Sequence, residues 1–254
     1  MRISISQANK HRLGRIAAAV LWIAVWQALS LLVNEELLLP SPVLVAERLF
    51  VLVRTSAFWR NIFASLLRVL MGLVIGAFLG VLFAVVSNRF LWARELLAPL
   101  LRLSRTVPIV SFIILAIVWL PRNVLPIFVS AIMVLPVIWQ NVEEGISKID
   151  VRYHEAARVY RVPFARRFWM FYIPSVKPFF ISALITASGL AWKSGIAAEV
   201  LYEPAVSIGK GLSEAKNYLN TGDLFAWTVV IVLMGWLMEK FICLLLRVKF
   251  PKKG

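Results

Sequence analysis

The feature that most constrains this 254-residue chain is a series of long, nearly uncharged apolar runs, at 16–33, 62–87, 106–120, 124–142, 176–202 and 224–246. About 20 predominantly apolar residues let a helix cross a bilayer, and in hydrocarbon a segment must satisfy its own backbone polar groups, so these runs predict transmembrane helices. The third run is short, and its helix is expected to begin nearer Leu96. Six spans with short loops use nearly the whole chain and leave no room for a separate catalytic or nucleotide-binding domain. The expected fold class is all-α, a polytopic membrane protein of six transmembrane helices. Its membrane domain covers 16–247, between a tail at 1–15 and a basic tail at 248–254. Composition agrees: 61% of residues are hydrophobic and 16% charged, where soluble domains carry about 25% charged. The basic, apolar N-terminus is read as a retained first helix, because Asn34-Glu35-Glu36-Leu37 offers no small-residue cleavage site.

The net charge of +15 does not point to nucleic acid, since the basic residues lie between apolar runs rather than on a soluble basic face. Their distribution speaks to orientation, because cytoplasmic loops retain Lys and Arg. One set of segments comprises the two tails, the second loop with Arg89, Arg94, Arg102 and Arg105, and the long loop at 145–177. It holds 19 basic residues against 6 in the opposite set. This predicts that both termini are cytoplasmic, which an even number of spans satisfies. The single cysteine, Cys243, lies in an apolar run and is expected to act as a small buried hydrophobe.

The 145–177 loop is amphipathic. Residues 154–160 suggest a short helix with a small-residue face, and a second helix comes after it with Pro163 at its start and Phe164, Phe168 and Phe171 at i, i+4 and i+7. Such a pair suits either docking onto a partner or lying among lipid headgroups. Within it, Glu155-Ala156-Ala157 followed nineteen residues after Glu155 by Pro174 resembles the EAA loop of ABC importer permeases, with the pattern E-A-A-x(3)-G-x(9)-I-x-L-P. Further motifs are similar to the nitrate, sulfonate and taurine branch of that family: Leu39-Pro40-Ser41-Pro42, the stretch from Ser65 to Gly72, Arg105-Thr106-Val107-Pro108, and the stretch from Lys216 to Thr221.

The resemblance implies the six-helix fold of type I importer permeases and the permease role in an ATP-driven importer. It implies a second permease copy, a homodimer being preferred to a heterodimer, and a dimer of ATPase subunits carrying ATP and Mg. An extracytoplasmic solute-binding protein and surrounding membrane lipid complete the partners. Coupling to the ATPase is carried onto Glu155, Ala156, Ala157, Arg158, Arg161 and Pro174. The implied cargo is a small anionic or heterocyclic solute, in the range of sulfonate, taurine, nitrate or a vitamin precursor. Two departures stand out. Arg161 occupies the pattern's glycine position, where a left-handed backbone costs a residue with Cβ roughly 1 kcal/mol, so a different bend is expected. The turn Pro121-Arg122-Asn123 is also short. No phosphate-loop spacing surrounds Gly209-Lys210, so this chain is not expected to hydrolyse ATP.

Charges inside spans cost roughly 2.5–3.5 kcal/mol on insertion scales and need a partner or a wet cavity. Arg68 and Glu199 are placed where they can pair or line a gate. Lys193 sits mid-span, to hold an anion or to pair with an acid on another helix or chain, with Trp192 and Ser194 beside it to supply stacking and hydrogen bonding. Glu239 and Lys240 are expected to snorkel. His11 and His154 have no second ligand at metal spacing, and Ser65, Ser111 and Ser130 lack a nearby histidine and are expected to bond helix carbonyls. The competing reading is a secondary transporter or channel working without an ATPase; an intramembrane enzyme would need clustered catalytic residues, and the spans hold none.

Overall fold

The computed structural model describes residues 3–150, 152, 157, 159–161 and 163–246, and these are almost entirely helical. In chain order the helices are α1 (Ile3–Val33), α2 (Pro42–Val53), α3 (Ser56–Arg89), α4 (Leu91–Thr106), α5 (Ile109–Ile117), α6 (Leu125–Ser147) and α7 (Phe164–Arg167). A π-helical turn (Phe168–Tyr172) leads into α8 (Ile173–Tyr202), and the chain ends in α9 (Ile208–Asn217) and α10 (Thr221–Leu245). Among the described residues, four helical stretches are long and apolar enough to cross a membrane: Ser56–Arg89, Leu125–Ser147, Ala165–Tyr202 and Thr221–Leu245. A shorter apolar stretch covers Ala17–Val33. The protein is a polytopic helical membrane protein. Residues 3–15, expected as a tail, continue α1, and residues 248–254 lie outside the described residues.

The third expected span is not one helix. It is divided into α4 and α5 at Val107-Pro108, because proline has no N–H to donate and pushes the residue before it into extended backbone; Val107 has ψ 125°. The register against α6 shows how far the pair reaches. Arg94 of α4 meets Glu143 at 3.5 Å near one end of α6, while Phe112 of α5 stacks on Phe128 with ring centroids 6.4 Å apart near the other. Arg102 and Arg105, expected as loop residues, therefore belong to a helix running antiparallel along α6.

The chain groups into two compact units, 1–59 with 211–230 and 60–210 with 231–254. In the first, Ser41 caps α2 by accepting from the Leu44 N–H at 3.2 Å, with Pro42 at the first helical position. The Trp26 indole donates to the Pro40 carbonyl at 3.1 Å, and Phe58 lies against Trp227 with centroids 5.2 Å apart.

The second unit is built on α3, α6 and α8. Lipid gives helices no hydrophobic drive to associate, so close packing through small residues does that work. Gly72, Gly76 and Gly80 repeat every fourth residue on α3, and a Cβ at each would fall 2.5–2.8 Å from atoms of Ser130, Ala131 and Ile138 on α6. Gly195 of α8 fits against Ser130 and Val69 in the same way. Ile113, Ala116, Leu125, Val129 and Ala198 form a buried cluster joining α5, α6 and α8.

Candidate functional site

The described part of the 145–177 loop starts where α6 meets α8: a Cβ on Gly145 would lie 3.1–3.3 Å from Phe179 and Val176. Just beyond, Arg152 reaches Asp150 at 2.7 Å, and this hydrogen-bonded ion pair holds the Asp150 carboxyl below the ordinary carboxylate range. Arg161 adopts φ 47°, so the arginine takes the left-handed backbone that favours glycine. Glu155, Ala156 and Arg158 lie outside the described residues.

Ala157 is buried within the loop. It is 2% exposed, and its carbonyl accepts from the Arg167 guanidinium at 3.3 Å, so its small side chain lets the two halves of the loop close on each other. The loop's exposed apolar surface is formed instead by Val159 (77%), Tyr160 (80%), Trp169 (69%) and Met170 (58%). Phe168 and Phe171 do not sit on a plain α-helical stripe, because the π turn from Phe168 to Tyr172 takes an extra residue and rotates the helix beyond it; Phe168 stacks on Tyr172 with centroids 6.5 Å apart. Pro174 is exposed and lies just past the π turn, inside the continuous helical stretch Ala165–Tyr202, so its missing N–H leaves a carbonyl of the preceding turn without a helical donor.

Near the opposite end of α8 the structure brings Arg68 and Glu199 together. The guanidinium donates to Glu199 Oε1 at 2.9 Å, and the Ser65 hydroxyl donates to Oε2 at 2.6 Å. Arg68 also donates to the Val206 carbonyl at 2.8 Å and to Asn123 Oδ1 at 3.3 Å, which ties the short 121–123 turn into the cluster. Ser65 accepts from the Ile208 N–H at 2.9 Å, and the Gly209 N–H donates to Glu199 Oε2 at 3.3 Å. A Cβ on Gly209 would lie 2.4 Å from Glu199 backbone and side-chain atoms, so only glycine allows the start of α9 to press on the carboxylate. Ser65 thus serves a carboxylate rather than a helix carbonyl, whereas Ser130 donates to the Ala191 carbonyl at 3.0 Å.

Lys193 is exposed on α8, and Trp192 and Ser194 do not flank it. Successive helical residues diverge by about 100°, which turns both neighbours inward. The Trp192 indole donates to the Ile231 carbonyl at 2.9 Å, and Ser194 donates to the Ala191 carbonyl at 3.2 Å. Lys193 makes no ion pair among the described residues.

Residues 72–248 match the family described as binding-protein-dependent transport system inner membrane components, which is more than half of the chain. The chain belongs to this family. The nitrate import permease protein NrtB of Synechocystis is 28% identical, covering 93% of this chain and 88% of the relative. The putative aliphatic sulfonates transport permease protein SsuC of Bacillus subtilis is 25% identical over 92% and 85%. The taurine transport system permease protein TauC of Escherichia coli is 24% identical over 87% and 82%. Two features of this permease are not among the sequence-based expectations although a signal was present. The every-fourth-residue glycines of α3 are a small-residue packing pattern. Asn123 and Gly209 join the Arg68–Glu199 cluster, and only their turn positions hinted at it.

Proposed function

We propose that this permease imports a small solute bearing an oxyanion, through a path lined by the Lys193 face of α8. Ser182, Thr186, Gly189 and Lys193 recur at four, three and four residues, one face of a helix, and the three with polar side chains are exposed. Lipid would meet Leu, Ile or Phe here, and an unpaired cation facing hydrocarbon is costly, so this face suits water. The cargoes named for these three relatives share the chemistry a lysine would hold: nitrate, aliphatic sulfonates and taurine. A second copy of this chain would supply the facing wall, an extracytoplasmic binding protein would deliver the solute, and both termini would lie in the cytoplasm among the headgroups of the surrounding lipid. A separate ATPase dimer, holding ATP and Mg, would drive the cycle through the 145–177 loop. Pro174 and Arg161 shape that loop, Ala157 closes it, and Glu155, Ala156 and Arg158 take part at the contact. Arg68 and Glu199 would fix one end of the path.

Lys193→Met in the reconstituted transporter tests the reading. The anion concentration giving half-maximal ATPase stimulation, measured with nitrate, taurine, ethanesulfonate and bicarbonate, should rise about tenfold to hundredfold at an unchanged melting temperature. A lowered melting temperature with unchanged anion dependence would show a lysine that pairs with an acid, and would overturn the site.

A further inference from the structure

We infer that Arg102 and the exposed break between α4 and α5 form a second anion-attracting station on the permease path; this rests on the anion-import reading above. Arg94 lies against Glu143, and Ile113 and Ala116 pack with Leu125 and Val129, so α4 and α5 together run the length of α6. The residues flanking Arg102 fix its depth: Leu101 and Leu103 share a cavity of about 250 Å³ with Met133, Leu135 and Pro136. That is the middle of α6, a 23-residue helix about as long as the hydrocarbon is thick. The head of Arg102 thus starts about ten residues, or roughly 15 Å, from either end of α6, too deep for a side chain to snorkel out.

Two independent features say that this face does not meet lipid. Arg102 is exposed and makes no ion pair among the described residues; Glu95, on the same face, is seven residues or about 10 Å away along the helix. The backbone beside it is also irregular where Val107 and Pro108 interrupt the helix, and Thr106 and Pro108 are exposed. Non-helical backbone is tolerated at membrane depth where it is covered by protein or lines a water-filled cavity. Pro108 gives the start of α5 no side-chain cap, so N–H groups there are free to face the same water. A guanidinium in a narrow aqueous path attracts anions and repels cations, and its planar donors match the paired oxygens of nitrate, carboxylate, bicarbonate or sulfonate.

The test does not depend on which anion is carried. In the assembled transporter carrying Cys243→Ser, single cysteines Thr106→Cys, Lys193→Cys and Phe78→Cys are reacted with anionic sulfonatoethyl and cationic trimethylammonioethyl methanethiosulfonates, added on both sides. Thr106→Cys, one turn from Arg102, is expected to react at least tenfold faster than Phe78→Cys, whose side chain is exposed on an apolar face of α3. Its anionic-to-cationic rate ratio should fall about tenfold with Arg102→Gln and be kept by Arg102→Lys. If Thr106→Cys is as slow as Phe78→Cys while Lys193→Cys reacts, the α4–α5 face is covered, and this inference fails alone. If both are slow, the Lys193 path fails too. A ratio unmoved by Arg102→Gln, with a lowered melting temperature, would mean that an acid of the second copy already neutralises Arg102, and would overturn the station.

Discussion

The two ends of α8 solve opposite problems. At Glu199 the carboxylate has no exposed side-chain surface and Arg68 has 11%; each carboxylate oxygen is met by donors from α3 or the α9 start, and the glycine there leaves no gap. At the 145–177 end, large apolar side chains stand in the open, a π turn interrupts the helix, and an arginine holds a left-handed turn. A buried ion pair and its hydrogen bonds bind four segments of one chain to each other: α3, the 121–123 turn, α8 and the 206–209 stretch. An exposed aromatic surface with local backbone strain is what a chain offers to another chain. The difference teaches that a polar group in this permease means internal fixation where it is buried with partners, and an outward function where it is exposed without them.

That contrast breaks most visibly at the ion pair. Arg68→Gln should destabilise the solubilised permease by about 3–5 kcal/mol, because Glu199 is left buried without its cation. The check is melting temperature and membrane yield, and adding Glu199→Gln should recover part of the loss. Equal melting temperatures for Arg68→Gln and the parent would put the two ends of α8 on the same footing. The loop end should behave differently. Ala157→Trp cannot fit between the loop halves and should cost about 1–3 kcal/mol locally, releasing the ATPase on affinity purification while the permease stays in the membrane. Retained ATPase with Ala157→Trp would mean that closure of the loop at Ala157 is not what holds the ATPase.

The legible part of this fold was the part written in hydrophobic runs. The long apolar helices and the Arg68–Glu199 meeting could be anticipated because run length and the depth of a charge are properties of sequence position. The division of the third span is a sequence property too, since Pro108 lacks the N–H a continuous helix needs and sets Val107 in extended backbone. Facing was less legible. At Ala157 a small residue allows close approach, and sequence does not say that Arg167 is among the groups that approach it. Trp192 and Ser194 adjoin Lys193 in sequence, whereas helix geometry turns neighbours away from one another. Arg161 shows the converse: the turn survived a residue that disfavours it, because the segments on either side, closed at Ala157 and Arg167, determine where the chain must bend.

This last residue allows the finest test of the comparison. If the left-handed turn at Arg161 is imposed by the closure of the loop, removing the Cβ should relieve about 1–2 kcal/mol of backbone strain, offset by roughly 0.4–1 kcal/mol because glycine also loosens the unfolded chain. Arg161→Gly should therefore slow hydrogen exchange of loop amides by up to about fivefold, a gain near 1 kcal/mol, with little effect on the Arg68–Glu199 end. Arg161→Ala separates backbone from charge, since it keeps the strained φ and drops the guanidinium. Slower exchange in the glycine variant alone means that the backbone carries the effect. The same change in both variants means that the guanidinium does, and then Arg161 belongs with the exposed surface offered to the ATPase rather than with the turn that shapes it.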